Sequence, residues 1–383
     1  MTPVWLPRRF EWLLPPVGVA ALVGCLLFGL RGDVHQTLLS YLFAFVFFTG
    51  LSVGSLAVAM IQPLTGGAWG YYIRPQVLAA VRTLPLMGLL VIPILFGMHV
   101  LYVWTHADAL AHDEVLRQQT WWLGSTFFVI RTIGYFVSWM LVGFLFLRGL
   151  RRNTRLSVIA APGAIVYALT TLMAAFDWIS SLTPHWHSST FGMLVATGWM
   201  LGAAALAVLC ATCSPDEEDR HPPHLLRDLG TLLCMFVLGW AYLAFMQYLT
   251  IWIADLPAEN AWYIPRTLTT WRWLAWFLIA FEFAIPFALL LSRRAKRNRV
   301  ALGTVAGMLL GANLAYAFWL VVPGFRPAGF SLRWTDLLAV LGIGAPWVCV
   351  YLCALRAGRV PAARADADEP APVAGPRVER VDG

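Results

Sequence analysis

Charge is scarce in this sequence. Only 12% of its 383 residues are charged, against 60% hydrophobic and a mean hydropathy of +0.70, a balance that a soluble domain does not tolerate. Cofactor-ligand spacings are missing as well. The six cysteines form no iron–sulfur pattern. Cys210-Ala-Thr-Cys213 is followed by Ser214, where covalent haem attachment needs His, and a buried cysteine ordinarily behaves as a small apolar residue. The Gly66-Gly67 pair has neither a strand before it nor Gly-Lys-Ser/Thr after it, which excludes a phosphate loop. No small-residue cleavage site follows Arg8 and Arg9, so the first apolar run reads as a retained helix and not as a signal peptide. The polar–apolar alternation of β-barrel strands is absent too.

What remains is apolar runs of spanning length. A bilayer core needs about 20 mostly apolar residues per helix. Ten runs meet that description, at 13–30, 38–61, 77–104, 121–147, 156–182, 190–213, 229–254, 271–291, 300–322 and 335–355. The fold class is therefore all-α: a polytopic membrane protein with one transmembrane domain over 1–355. The Ala-, Pro-, Arg- and Asp-rich tail 356–383 is expected to be disordered.

Lys and Arg accumulate in cytoplasmic loops. The main clusters, Arg148, Arg151, Arg152 and Arg155 after the fourth run and Arg293 to Arg299 after the eighth, lie on one side. Both termini are accordingly expected in the cytoplasm, and Pro184 to Ser189 outside. The net charge of +7 is then a topology signal and gives no reason to invoke nucleic acid.

Small residues point to helix packing. Gly50, Gly54, Ser55, Ala57 and Ala59 put a small face on the second span. Gly303, Gly307, Gly311 and Ala315 form a stripe on the ninth.

The densest ionisable stretch is Phe176-Asp-Trp-Ile-Ser-Ser-Leu-Thr-Pro-His-Trp-His-Ser-Ser-Thr-Phe-Gly192, at a predicted membrane surface. His99, Asp177, His185, His187 and Asp255 come to that same external level, and Arg131 and Glu282 to the middle. Charges in hydrocarbon cost several kcal/mol unless paired, at about 3 kcal/mol on insertion scales, so Arg131 and Glu282 are expected to pair with each other. Two imidazoles and a carboxylate walled by Trp178 and Trp186 suit a quinol headgroup, which must release protons as its electrons leave. Asp177, His185, His99 and Asp255 are thus the candidates for proton transfer or quinol proximity. A haem-bearing subunit would need histidine pairs within helices, and only His99 lies in one.

Phe176-Asp-Trp, Ser181-Leu, Pro184-His-Trp and Phe191-Gly resemble the hallmark stretch of the F subunit of alternative complex III, an NrfD-like membrane protein of a bacterial quinol:electron-acceptor oxidoreductase. Pro63-Leu-Thr-Gly66 with Trp69, Phe127-Phe with Ile130-Arg, Asp228-Leu-Gly, Trp240-Ala-Tyr with Gln247, Pro286-Phe, and Ser292-Arg with Ala295-Lys-Arg-Asn298 carry the likeness across most of the chain. Several consequences follow from the resemblance. It implies ten helices with two four-helix bundles at the core, no metal centre in this chain, and a bacterial inner-membrane location. It implies partner subunits that hold haem c and iron–sulfur clusters, a second NrfD-like subunit implicated in quinol binding, and proton movement through this subunit. Phe176, Trp178, Pro184 and Trp186 belong to the family motif. Glu282 stands where the family pattern has histidine, so the family role at that position does not carry over. Two other classes stay open on the residues alone: a secondary transporter, although its Pro/Gly interruptions would be matched between halves, and a structural membrane anchor for redox partners.

Overall fold

The computed structural model describes residues 8–213 and 222–357, and every regular element within them is a helix. The acidic run Asp216 to Asp219 and nearly all of the predicted disordered tail lie outside the described residues. Ten principal helices follow in order: α1 (Arg8–Arg31), α2 (Val34–Thr65), α3 (Trp69–Phe96), α4 (Ser125–Arg151), α5 (Ser157–Trp178), α6 (Phe191–Thr212), α7 (Pro223–Ala254), α8 (Arg272–Leu291), α9 (Arg299–Val321) and α10 (Trp334–Ala357).

Nine of them, α2 to α10, are long and apolar enough to cross a bilayer. In α1 the apolar stretch Leu13–Gly29 is shorter, so nine of the ten expected spans reach spanning length among the described residues. The chain is a polytopic helical membrane protein. Its lipid-facing side chains agree: Ile130 and Phe144 on α4, Val158 and Ile165 on α5, and Trp276 and Ile279 on α8 are all exposed. So broad an apolar surface suits hydrocarbon and not water.

Helix ends follow local chemistry. Asp33 caps α2 by accepting from the Gln36 N–H at 3.1 Å, and Asn298 caps α9 through the Ala301 N–H at 2.9 Å. α2 stops at Gly66 and Gly67, whose φ values of 75° and 99° suit residues without a Cβ. α3 is not one continuous helix. Pro85 and Pro93, in the first turns of Leu84–Leu90 and Ile92–Phe96, bring no N–H to the ladder and break it into short pieces.

α2 is the axis. Every residue from Leu39 to Val58 is buried, as expected of a helix apolar on all sides, and α1, α3, α5, α6, α9 and α10 pack around it. The predicted small face is what permits the closest approach. A Cβ at Gly54 would overlap the Trp199 backbone carbonyl of α6, and one at Gly50 would overlap the Trp199 indole. On α9 the stripe is used only in part: Gly303 and Gly307 face Thr212 and Leu209 of α6, while Gly311 faces open space.

Exposed Trp121, Trp252, Trp273 and Trp334 mark the end where α4, α8 and α10 begin and α7 stops, an interfacial aromatic belt. Arg148, Arg151, Arg152, Arg155 and the Arg293 to Arg299 turn mark the opposite, basic end.

Candidate functional site

Asp177 sits in the last turn of α5 at the tryptophan end, with no solvent exposure. α4 supplies two of its partners from positions four apart, which share one helix face. Arg131 donates Nε to Oδ2 at 2.8 Å and Nη2 to Oδ1 at 2.9 Å, and the Tyr135 hydroxyl donates to Oδ2 at 2.6 Å. The Trp122 indole, from the turn before α4, donates to Oδ1 at 3.1 Å. Four donors match the roughly four acceptor sites of a carboxylate. Arg131 is equally occupied: Nη1 donates to the Trp122 carbonyl at 2.8 Å, and the guanidinium lies 4.2 Å from the Trp122 and Phe127 ring centres.

This arrangement corrects the expected Arg131–Glu282 pair. Arg131 pairs with Asp177, and Glu282 bonds to Asn313. The reason is register. α4 starts at Ser125 and not near Trp121, so Arg131 stands only about 9 Å along it, level with the end of α5 and not with the midplane.

The remaining residues of the stretch are built into a cover. Gln119 donates to the Pro184 carbonyl at 3.2 Å and bonds His187 Nε2 at 3.1 Å, while His185 Nε2 meets Asp113 Oδ2 at 2.7 Å on the surface. These contacts fasten the α3–α4 connection, which carries Trp122, over Asp177. Trp178 donates to the Thr132 hydroxyl at 3.2 Å and stacks on Phe136. Trp186 stacks on Trp262 at 4.4 Å and meets Phe191 edge-on, and Phe176 leans on that same Phe191 ring. Both tryptophans are 1% exposed, so they pack against side chains and do not wall an open headgroup site. His99 is exposed and stands outside the Asp177 set. Asp255, at φ 46°, ends α7 in the left-handed conformation and accepts from Asn260 at 2.8 Å on the surface.

Two buried guanidinium sites at this end had no sequence signal, because both arginines read as loop charges. Arg266 donates to the carbonyls of Trp262, Trp319 and Leu320 at 2.8–3.3 Å, closing the end of α9, and lies 3.4 Å from the Trp262 ring centre. Burial pulls its pKa down to about 9. Arg326 grips Asp336 with two bonds of 2.8 Å and also holds Gln36 at 2.9 Å, tying α10 to α2.

Glu282 is different in kind. It lies in a π-helical turn, Ile279–Ala284, within α8, a distortion that often marks functional positions. It stands about 15 Å along the helix from Arg272, near the middle of a ~30 Å core, and is fully buried. Asn313 of α9 donates to Oε1 at 3.1 Å and to the Gly198 carbonyl of α6 at 3.0 Å. Oε2 has no hydrogen-bond partner among the described residues.

One turn along α9, the buried Tyr316 hydroxyl meets no hydrogen-bond geometry among the described residues, nor does the indole N–H of Trp240, whose ring it meets edge-on at 5.2 Å. Two turns along α7 from Trp240, Gln247 donates to the Tyr263 hydroxyl at 3.1 Å while its own carbonyl oxygen is unpaired. Gly198 and Gly202 make room on α6: a Cβ at Gly202 would overlap the Asn313 side chain. Such clustering of buried, incompletely bonded polar groups is costly. It runs from the midplane toward the tryptophan end.

Comparison with known proteins finds no family model that matches this sequence and no curated protein similar to it. The functional reading therefore rests on the residues and their geometry.

Proposed function

We propose that this chain is an integral membrane subunit, without a metal centre of its own, of a bacterial respiratory quinol:electron-acceptor oxidoreductase of the alternative complex III type, and that it carries protons for the complex. One observation carries the proton role: the Glu282 carboxyl at mid-membrane depth, with one oxygen held by Asn313 and the other unpaired. At Oε2 a proton can be taken up or given without breaking a hydrogen bond. Tyr316, Trp240, Gln247 and Tyr263 continue the polar line toward the tryptophan end, and an intramembrane carboxyl group such as that of Glu282 is the kind of group that proton relays use.

Asp177 takes the other part. With all acceptor sites filled and Arg131 on both oxygens, it locks α4, α5 and the α3–α4 connection together. Support for the wider assignment comes from the motif residues read above. α2 packs against helices from both halves of the chain, α3 and α5 as well as α6, α9 and α10. Haem c and iron–sulfur centres belong to partner subunits in this reading, beside a second NrfD-like subunit, with both termini in the cytoplasm of an inner-membrane protein. Purification of the tagged chain from its native membranes tests the assignment. Multihaem and iron–sulfur subunits with quinol-oxidising activity are expected to accompany it. A chain that purifies alone and moves a solute in vesicles belongs to a transporter.

A further inference from the structure

Glu282 divides the space among α6, α7, α8 and α9 into two unlike halves. Toward the basic end, α8 from Phe283 to Leu291, α9 from Val305 to Ala312, α7 from Leu232 to Gly239 and α6 from Met200 to Leu209 carry no hydroxyl, carboxyl, amide or ring-nitrogen side chain. Leu201, Ala205, Val237, Ala306 and Leu309 in these segments are wholly buried. From Glu282 this apolar packing runs about 13 Å along α8. The apolar groove between the basic ends of α6 and α9 reaches only to Gly307, about 9 Å short of Asn313. Toward the tryptophan end the composition reverses. Tyr316 lies one turn beyond Asn313 and within electrostatic reach of both Glu282 and Tyr263, and Tyr263, in the α7–α8 connection, accepts from Gln247 at 3.1 Å. Tyr263 is half-buried, so the polar groups come out at that connection.

We propose that Glu282 exchanges protons with the tryptophan-end surface alone, by way of the Tyr316 and Tyr263 hydroxyls, and that the apolar packing on its other side seals it from the basic end. The inference rests on the proton role given to Glu282 above and adds its direction. A phenol oxygen can accept one proton while giving up its own, so each tyrosine ends a transfer neutral, and the proton that leaves Oε2 emerges at Tyr263. The reverse path loads it. Toward the basic end a proton would have to lie in close apolar packing without one hydrogen-bonding side chain, which strongly disfavours it. Tyr316 is the titratable group that faces Glu282, from α9; α7 brings Trp240 and α6 the Gly198 carbonyl, and neither titrates. The chain by itself then moves protons between mid-membrane and one surface, not across the bilayer.

Infrared spectroscopy of the full-length chain in vesicles of either orientation, assigned by protease access to the α3–α4 connection, tests it. The C=O band of the protonated Glu282 carboxyl is identified by its loss in Glu282→Gln. Stepping the pH at the tryptophan end should change that band, whereas the same step at the basic end should leave it unmoved. Tyr316→Phe removes one hydroxyl and little volume, and should slow deuterium exchange into the band by roughly ten-fold or more, as the loss of an acid–base group does. Tyr263→Phe, in the α7–α8 connection, gives a second variant if the first does not fold. A band that answers equally from both ends, or from the basic end alone, overturns the proposal and leaves the proton role of Glu282 standing. So does undiminished exchange in a folded tyrosine variant. A band that answers at neither end overturns the proton role and this proposal together.

Discussion

Asp177→Ala would leave Arg131 buried beside nothing of opposite charge. The structure sets the magnitude. Two bonds of 2.8 and 2.9 Å join the guanidinium to the carboxylate, and both side chains are almost wholly inaccessible. Removing one partner of such a pair costs about 3–5 kcal/mol. Tyr135 and Trp122 lose their acceptor at the same time, and a hydrogen bond to a charged group contributes about 1.5–3 kcal/mol. The sum is not additive, because all four groups share one site, so a loss of about 4 kcal/mol is expected for the single change.

Arg131→Met combined with Asp177→Leu should recover much of that loss, since replacing a buried pair by apolar groups is often neutral. Reversible unfolding in mixed micelles, with the two single variants and the double variant as a cycle, measures the coupling directly. If Asp177→Ala unfolds within about 0.5 kcal/mol of the parent, as surface changes do, the carboxylate is not the lock described here. Asp177→Asn keeps one acceptor oxygen, and its smaller loss should leave proton release per turnover unchanged in any complex that assembles.

Gly54→Ala should destabilise by about 1–3 kcal/mol through overlap with the Trp199 carbonyl, whereas Gly134→Ala, with nothing within 4 Å, should be neutral or stabilising in the same unfolding assay. Arg266→Leu strips donors from three carbonyls that hold the end of α9 and should cost at least ~2 kcal/mol, with hydrogen exchange rising first around Trp319 and Leu320. The His185–Asp113 contact is part-exposed, so Asp113→Asn should change stability by no more than about 1 kcal/mol while making the α3–α4 connection easier to cleave by protease.

Span positions were largely legible because hydrocarbon imposes length and composition on each helix separately. α2 illustrates it: an all-round apolar run with Gly50 and Gly54 announced both its burial and its close neighbour. Partner choice was not legible, because it depends on azimuth and on where each helix begins. A start at Ser125 in place of Trp121 moved Arg131 about one turn and exchanged Glu282 for Asp177 as its partner. Arg266 and Arg326 escaped notice for another reason. Arg266 binds backbone carbonyls, which leave no mark in the sequence, and Arg326 joins Asp336, ten residues on across a loop, to Gln36 at the far end of the chain, a pairing that no helical spacing announces. The π turn around Glu282 goes with Pro286, which brings no N–H to the Glu282 carbonyl four residues before it, a signal that counting apolar residues passes over. Asp177 was legible as important, but a count of residues cannot distinguish a carboxylate with free lone pairs from one with none.

Proton release during quinol oxidation by the complex reconstituted in vesicles is the decisive test of Glu282. Glu282→Gln keeps the Asn313 bond available and removes the titrating oxygen. In the assembled variant complex electrons should still pass to the acceptor while protons delivered per electron fall measurably below the parent value. Unchanged proton stoichiometry in that assembled variant would contradict the proton role of Glu282.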